Sequence, residues 1–263
     1  MTTPPETGDA NEVAVLVPAA GEGRRLGGPR KQFRTLGDRP LLVQVLLAFE
    51  RHPAVGHLVV AVPEPHVQEV GDRLQAEGLS KLGAVVSGGD SREASVRSAL
   101  RAVPAPVEVV LVHDAVRPFV RGEQVTDVVA ATRAYGAAAL AMPVADTLRA
   151  SQDAVFEDTV PRDGLYRMQT PQGFRRAWLE EAHRAALRDA RSSDGAAASP
   201  DAAGRHGAPA TDDVALVQRQ GREVRLVRGD RRNFKITTPG DWAFAQQLWP
   251  AWSNDPDRFA GAE

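Results

Sequence analysis

The sequence predicts an α/β protein whose mostly parallel central sheet is covered by helices on both faces. Short, largely apolar runs, such as residues 13–17 and 107–112, are typical of strands buried on both faces. Segments with helical patterning alternate with these runs along the chain. Cysteine is absent from the 263 residues, which excludes disulfides and cysteine-based metal sites.

Apolar patterning locates each element in order. Strands are predicted at 13–18, 57–62, 84–87, 107–112, 138–144 and 223–228. Helices are predicted at 40–51, 65–77, 91–102, 122–135, 174–190, 212–220 and 239–248. Because ligands of such sheets bind outside the carboxyl ends of the strands, loops at those ends are the first places to look for chemistry.

The elements form one predicted domain, at residues 12–249, with two interruptions. Residues 144–169 are polar without a helical period, which indicates a protruding β-hairpin arm. Residues 191–210 are rich in Ala, Gly, Ser and Pro, a composition typical of a flexible surface loop. The polar residues 1–11 are predicted to be disordered, and residues 250–263 to form a C-terminal tail.

Composition excludes several classes of protein. The net charge of −2 argues against broad binding of nucleic acid or membranes, which usually requires a basic excess. Aromatic residues make up only 5% of the chain, so no stacking platform for single-stranded nucleic acid is evident. No apolar run approaches the 18 residues of a membrane span, and no signal peptide is recognisable. We therefore expect a cytoplasmic protein.

The loop after the first strand, at residues 17–32, is the most informative segment of the chain. Its small residues let backbone N–H groups approach an anion closely, and four cations follow, Arg24, Arg25, Arg30 and Lys31. A dinucleotide fingerprint would need glycine where Leu26 stands, and the Gly-Lys-Ser/Thr ending of a P-loop is absent. The segment therefore suits a polyphosphate, with a generic Gly-rich turn carrying solvated arginines as the alternative.

A second cluster, residues 88–96, follows the predicted strand at 84–87. Asp90 has the position of a helix cap, with Glu93 three residues later. The other interpretation is that free amides, Asp90 and Ser95 bind the base or ribose of a nucleotide. The sequence leaves both interpretations open.

The third cluster, residues 112–118, directly follows the most apolar strand. Asp114 at a strand's carboxyl end, close to an anion-binding loop, is a natural ligand of Mg²⁺, which takes one or two carboxylates and completes its shell with phosphate oxygens and water. The alternative is a turn in which Asp114 pairs with Arg117. His113 is interpreted as structural, because no partner with ligand spacing lies near it.

Three weaker clusters, at 162–172, 211–213 and 229–237, offer hydroxyls and cations for a second phosphate. Serine nucleophile elbows, His-Glu-x-x-His helices and EF-hand loops are absent from the sequence. Chemistry built from cations and one metal carboxylate suits phosphoryl or nucleotidyl transfer, in which positioning and charge stabilisation supply most of the catalysis.

Taken together and in this order, these clusters resemble the 2-C-methyl-D-erythritol 4-phosphate cytidylyltransferases of the non-mevalonate isoprenoid pathway. The resembling parts are residues 18–25, 29–32, 88–92, 95–96, 112–115, 117–118, 146–147, 170–172, 211–212 and Lys235. The resemblance implies a Rossmann-like α/β domain whose β-arm builds a homodimer. It also implies transfer of a cytidylyl group from CTP, with Mg²⁺ or another divalent cation, to a polyol phosphate.

The resemblance also implies roles for individual residues. Arg25, Lys31 and Lys235 would neutralise the reacting phosphates, and Asp114 would hold the metal. The residues implied to bind the nucleotide are Pro18, Ala19, Ala20, Gly21, Gly23, Gly89, Asp90, Ser95 and Ala115. Those implied to face the methylerythritol phosphate are Arg117, Thr147, Arg162, Thr170, Thr211 and Lys235, with Thr147 and Arg162 reaching the neighbouring subunit's site.

Two other functions compete with this interpretation. A ribitol 5-phosphate cytidylyltransferase would share the CTP site and differ in the polyol pocket. A regulatory protein that binds nucleotides without turnover could discard Lys31, Asp114 and Lys235, all of which are present. A dinucleotide-binding dehydrogenase is disfavoured because Leu26 breaks its fingerprint.

Overall fold

A computed structural model gives the fold of residues 13–21, 31–193 and 210–260. The predicted disorder at 1–11 and most of the predicted loop at 191–210 lie outside these described residues.

The predicted strands are present with ends shifted by at most two residues. The strands are β1 (Val13–Pro18), β2 (Thr35–Leu36), β3 (Arg39–Pro40), β4 (Val55–Val62), β5 (Leu82–Ser87), β6 (Val109–Val112), β7 (Ala137–Pro143), β8 (Leu148–Gln152), β9 (Val155–Val160), β10 (Tyr166–Arg175) and β11 (Arg225–Arg228). The helices are α1 (Leu41–Glu50), α2 (Val67–Ala76), α3 (Arg92–Arg101), α4 (Gly122–Tyr135), α5 (Arg176–Ser193), α6 (Asp213–Arg219) and α7 (Pro239–Ser253). Short 3₁₀ turns lie at Lys31–Phe33, Glu64–His66 and Pro256–Phe259.

Within the described residues, seven strands form the central sheet in the order β11-β7-β10-β6-β1-β4-β5. Only β10 runs antiparallel to its neighbours, which confirms the predicted mostly parallel sheet. Alternate residues of β1 face opposite layers: Val13 and Val15 pack with helices α1, α2 and α4, whereas Ala14 and Leu16 pack with α3, α5 and α6. Helices therefore cover both faces, as predicted.

Strand β10 was missed by the sequence analysis. Residues 166–169 were assigned to the arm, and a helix was expected from residue 174, but the strand continues to Arg175 and α5 begins at Arg176. Polar residues hid the strand, because Gln169, Thr170 and Gln172 are buried and find partners on distant segments.

The predicted arm contains an antiparallel hairpin of β8 and β9. Its turn residues Asp153 and Ala154 have positive φ angles of 50° and 63°, as two-residue hairpin turns require. All residues of β9 are exposed, including Phe156 at 77% and Val155 at 67%. The arm thus presents apolar side chains that this chain does not cover.

The expected C-terminal tail is partly packed onto the domain. Helix α7 continues through Pro250 to Ser253, and Trp252 is 4% exposed. The Trp252 ring packs edge-on against Phe119 with centroids 5.5 Å apart, and Arg121 pairs with Asp255. This packing extends the ordered domain beyond the predicted boundary at residue 249.

No helix in the described ranges combines the length and apolarity that a membrane crossing requires.

Candidate active site

A cavity of about 860 Å³ opens at the carboxyl ends of β1, β4, β5 and β6. Its walls come from the loops that follow these strands, together with one residue of the segment after β11. The lining residues are Pro18, Ala19, Ala20, Gly21, Gln32, Pro63, Glu64, Ser87, Gly88, Gly89, Asp90, Ser91, Arg92, Ser95, Asp114, Ala115, Val116 and Lys235.

The loop after β1 is held in place by a buried amide. Gln32 is 2% exposed, and its Nε2 donates to the carbonyl oxygens of Ala19, at 2.7 Å, and Gly21, at 3.3 Å. The Ala19 N–H continues the strand by donating to the carbonyl of Ala61 over 2.7 Å. The start of the predicted anion-binding loop is therefore fixed before any ligand arrives.

The two glycines after β5 are required by close approach. A Cβ on Gly88 would lie 2.5 Å from the Cβ of Ala20, and one on Gly89 would lie 2.5 Å from the Cβ of Ala94. The Gly89 N–H donates to Ser95 Oγ over 3.2 Å. Small residues thus bring this loop against the one after β1.

The residue that caps α3 is Ser91, which corrects the capping interpretation of Asp90. Ser91 Oγ accepts from the Ala94 N–H over 3.0 Å, and Asp90 remains exposed at the cavity wall. Ser95 is 2% exposed, and its hydroxyl donates to the Ser91 carbonyl over 2.9 Å. Ser95 therefore shapes the loop, whereas the Asp90 side chain faces a prospective ligand.

Three cations surround the Asp114 carboxylate at the cavity floor. Lys235 Nζ lies 3.0 Å and Arg117 Nε 3.3 Å from Oδ2, and Arg92 Nε lies 3.2 Å from Oδ1. Burial alone would raise the pKa of Asp114, but the charges of Lys235, Arg92 and Arg117 outweigh it and hold the pKa well below its usual range. Asp114 is therefore ionised throughout the neutral range.

A buried polar layer supports Asp114 from below. The Asp114 N–H donates to Thr170 Oγ1 over 3.1 Å. Burial lowers the pKa of His113 to about 4, so its ring is neutral at pH 7. Nε2 of His113 lies 3.0 Å from the Arg117 carbonyl oxygen and donates to it, which leaves Nδ1 to accept from the Thr170 hydroxyl at 3.1 Å. These contacts make His113 a structural residue, as interpreted from the sequence.

The site combines an anion cradle with clustered charge. Two glycine-containing loops line the cavity, and the cations Lys235 and Arg92 line it as well. Among the described residues, no three His, Cys, Asp or Glu side chains lie close enough together to hold a metal by themselves. The arrangement suits a polyanionic ligand.

This chain is similar to known proteins over most of its length. The family model described as 2-C-methyl-D-erythritol 4-phosphate cytidylyltransferase (IspD) matches residues 13–249. The chain belongs to this family.

Individual relatives agree with the family match. The chain is 62% identical to the 2-C-methyl-D-erythritol 4-phosphate cytidylyltransferase of Salinibacter ruber over 247 residues, which is 94% of this chain and 97% of the relative. It is 37% identical to the enzyme of the same name from Geobacter metallireducens, covering 89% and 96% of the two chains. The crystal structure of the Thermus thermophilus cytidylyltransferase superposes with a TM-score of 0.70 at 36% identity, covering 91% of this chain and 99% of that one.

The cavity gathers many, but not all, of the residues expected of a cytidylyltransferase. The expected nucleotide-binding residues that line it are Pro18, Ala19, Ala20, Gly21, Gly89, Asp90, Ser95 and Ala115. Asp114 and Lys235 line it as well. Gly23, Arg25 and the side chain of Lys31 lie outside the described part of the chain.

Arg117 and Thr170, expected to face the second substrate, lie beneath the cavity and are 8% and 4% exposed. Nη1 of Arg117 donates to the Asn233 carbonyl over 2.8 Å, and Nη2 lies 3.4 Å from the Met168 carbonyl oxygen. In this structure Arg117 and Thr170 support Asp114 rather than line the cavity wall.

Three further expected substrate residues are not among the residues that line this chain's own cavity. Thr147 and Arg162 are exposed on the arm, where Arg162 Nη1 donates to the Ala145 carbonyl. Thr211 is exposed just before α6. None of these three side chains lines the cavity described above.

Sequence reasoning missed the roles of Gln32, Arg92 and Asp213. Gln32 and Arg92 lie within motifs that the sequence analysis noted, but their partners are up to 121 residues away in the chain. Asp213 belongs to the cluster at 211–213, but no local signal showed that its carboxylate is buried. Only the folded chain reveals these contacts.

Proposed function

We propose that this protein transfers the cytidylyl group of CTP to 2-C-methyl-D-erythritol 4-phosphate, forming 4-CDP-2-C-methyl-D-erythritol and pyrophosphate in the non-mevalonate isoprenoid pathway. The observation that carries the proposal is the cavity of a family member that is lined both by two glycine-containing loops and by the Lys235–Asp114–Arg92 ion pairs. The name and length coverage of the relatives support the same substrates.

The cavity walls suggest how CTP would bind. The loop of small residues that follows Ala19 would contact the triphosphate, because turned amides of small residues form anion-binding concavities. The Ala19 N–H itself is already bonded to the Ala61 carbonyl. Gly89 and the exposed carboxylate of Asp90 would contact ribose and base. The cavity volume of about 860 Å³ is ample for a nucleotide together with a small polyol phosphate.

In the proposed reaction, a phosphate oxygen of the acceptor attacks the α-phosphorus of CTP. A P–O bond forms there while the bond to the bridging oxygen of the β-phosphate breaks, and pyrophosphate leaves with that electron pair. The acceptor monoester has a second pKa of about 6, so it is already largely ionised at neutral pH and needs no general base. This agrees with the neutral, internally bonded state of His113.

The electrostatic task is to bring two anions together. Lys235 is well placed for this work, because its ammonium group lines the cavity and lies beside the ionised Asp114. Preorganised cations of this kind stabilise the charge that develops on the equatorial oxygens. We assign the same task to Arg25 and Lys31 from the sequence pattern.

We also propose that Mg²⁺ or another divalent cation accompanies the triphosphate. An ionised carboxylate offers about four lone-pair sites, and three on Asp114 are used by Arg92, Arg117 and Lys235. The remaining site fits an ion that takes one carboxylate and finds its other ligands among phosphate oxygens and water. When bound, the ion would neutralise phosphate charge.

A homodimer is the proposed assembly. Val155, Phe156 and Val160 expose apolar surface on the arm, with exposed fractions between 37% and 77%. Large apolar side chains that are exposed on a protruding element favour burial against a second copy. In such a dimer, Thr147 and Arg162 would be free to contribute to the neighbouring subunit's site. We place the enzyme in the cytoplasm, where CTP is available.

The test is pyrophosphate release from CTP with Mg²⁺, comparing 2-C-methyl-D-erythritol 4-phosphate, ribitol 5-phosphate and no acceptor. We expect release that depends on methylerythritol phosphate. A preference for ribitol 5-phosphate would keep the chemistry and change the substrate. Release with neither acceptor, from a protein that still binds CTP, would favour a nucleotide-binding regulator.

A further inference from the structure

Arg92, the first residue of α3, joins two carboxylates that lie on different elements. Its Nε donates to Asp114 Oδ1 over 3.2 Å, and its Nη1 donates to Asp213 Oδ2 over 2.6 Å. Asp114 follows β6, and Asp213 begins α6. Because a guanidinium holds its donors in a rigid fork, this one side chain fixes the relative position of both carboxylates.

We call this arrangement the Asp114–Arg92–Asp213 bridge. Asp213 forms its outer end and lies outside the cavity. It is 1% exposed and does not line the cavity, and its Oδ1 accepts from Nε2 of His183 over 3.0 Å. Burial alone would raise the pKa of Asp213, but the hydrogen bond from His183 and the charge of Arg92 outweigh it and lower the pKa. A buried carboxylate is stable only when it is paired, so Asp213 and Arg92 hold each other in place.

We infer that Arg92 is a positioning residue: held by Asp213, its guanidinium fixes the Asp114 carboxylate and thereby the ammonium group of Lys235. Arg92 holds Oδ1 of Asp114, and Lys235 contacts Oδ2 of the same carboxylate at 3.0 Å. A shift of this carboxylate would displace Lys235, and a misplacement of about 1 Å in an active site can cost on the order of 10²-fold in rate.

Two substitutions distinguish the effect of the Asp114–Arg92–Asp213 bridge from the effect of the positive charge on Arg92. In Asp213→Asn, the anchor loses its negative charge, and its single amide oxygen can no longer serve both His183 and Arg92 as the two carboxylate oxygens do. Arg92→Lys keeps the positive charge and removes the two-donor fork. Arg97→Gln is the matched control, since Arg97 lies on the same helix, pairs with Glu93 at 3.2 Å and does not line the cavity.

The inference rests on the proposed cytidylyl transfer. Pyrophosphate release by the unmodified enzyme tests that proposal separately, in the same assay. We expect Asp213→Asn and Arg92→Lys each to lower kcat about 10- to 100-fold, with an unchanged KM for CTP and native circular dichroism. Arg97→Gln should match the unmodified enzyme. A kcat equal to that of the unmodified enzyme in Asp213→Asn or Arg92→Lys would overturn the inference. A rise in the KM for CTP without a fall in kcat would also overturn it, and would indicate that Arg92 binds the nucleotide.

A second measurement does not depend on turnover and so remains decisive if the proposed function fails. Acetic anhydride labels lysines at rates that depend on their surroundings, and mass spectrometry can report Lys235 separately from Lys31 and Lys81. The labelling rate of Lys235 should differ from that of the unmodified protein in Asp213→Asn and Arg92→Lys, and not in Arg97→Gln. An unchanged rate in both bridge variants would show that Arg92 does not position Lys235.

Discussion

The ammonium nitrogen of Lys235 lies 3.0 Å from Oδ2 of Asp114 and joins the segment after β11 to the carboxyl end of β6. The carboxylate is 9% exposed, whereas the lysine side chain is 40% exposed. The buried partner thus acts as a fixed anchor, and the accessible partner presents its charge to the cavity. This division of roles makes Lys235 the best placed of the described cations to meet an incoming phosphate.

Replacing Lys235 with alanine should therefore lower the rate of pyrophosphate release far more than it lowers stability. Loss of one preorganised charge-stabilising donor typically costs about 10²–10³ in kcat. We expect the same loss for Lys31→Ala, on the basis of its place in the sequence motif. Steady-state kinetics with thermal unfolding would measure both effects. Lys81→Ala is the control, since Lys81 does not line the cavity. If Lys235→Ala or Lys31→Ala releases pyrophosphate at a near-normal rate, that lysine has no part in the mechanism.

The glycines after β5 provide a steric prediction. Gly89→Ala would place a Cβ 2.5 Å from the Ala94 Cβ, so the loop or the start of α3 must shift. Because this loop forms the cavity wall, we expect weaker CTP binding, which calorimetric titration would detect as a raised Kd.

Gly71→Ala is the matched control for this steric prediction. Gly71 lies within α2, and nothing occupies the space within 4 Å of its added Cβ. Alanine there should raise stability by about 1 kcal/mol through helix propensity and leave CTP affinity unchanged. If Gly89→Ala binds CTP as tightly as the unmodified protein, the close approach is not needed for the nucleotide site.

Much of the fold could be predicted because its determinants are local. The apolar runs of β1, β4 and β6 show burial on both faces directly in the sequence. Strand β10 carries no such signal, because Gln169 satisfies its amide at the Asp230 and Asn233 carbonyls, 61 and 64 residues away. A polar residue that is buried by a distant partner looks like a surface residue in the sequence.

The residues of the candidate site likewise fall into those predictable from local sequence and those that depend on distant contacts. Glycines that allow close approach and lysines in motifs were identified, since their spacing in the sequence carries the information. The Arg92–Asp213 pair was missed, because it forms only when folding brings the first residue of α6 to the first residue of α3, 121 residues away in the chain. The helix predicted at 239–248 likewise ends too early, because α7 continues to Ser253, where Trp252 packs on Phe119.

His113 should make the protein less stable as the pH falls. Burial lowers its pKa from 6.5 to about 4, so between these values the unfolded chain binds a proton that the folded chain does not. Stability must then rise with pH across this window, and its loss at pH 4 amounts to about 3 kcal/mol. Below pH 4, both states are protonated at this residue and its contribution stays constant.

The His113 prediction can be tested by urea unfolding at pH 7 and pH 4.5, compared between the unmodified protein and His113→Asn. The drop in stability should be smaller in the variant. His52 also has a pKa lowered by burial, so part of the drop will remain. A proton NMR titration of His113 gives its pKa directly, and a midpoint near 6.5 would contradict the buried, neutral ring.

The arm provides the last prediction, which concerns assembly. Phe156 is 77% exposed, and Val155 beside it is 67% exposed, although both side chains are large and apolar. If a second copy covers them, Phe156→Ser should convert a dimer into a monomer in light scattering after size exclusion. Leu226→Ser is the matched control, because Leu226 is 52% exposed but lies on the edge strand β11 of the central sheet and not on the arm. Activity should fall with dissociation, since Thr147 and Arg162 would no longer reach a neighbouring site.

Two results would contradict this prediction. A Phe156→Ser protein that stays dimeric would place the interface elsewhere. A monomeric variant with full turnover would show that each chain completes its own site.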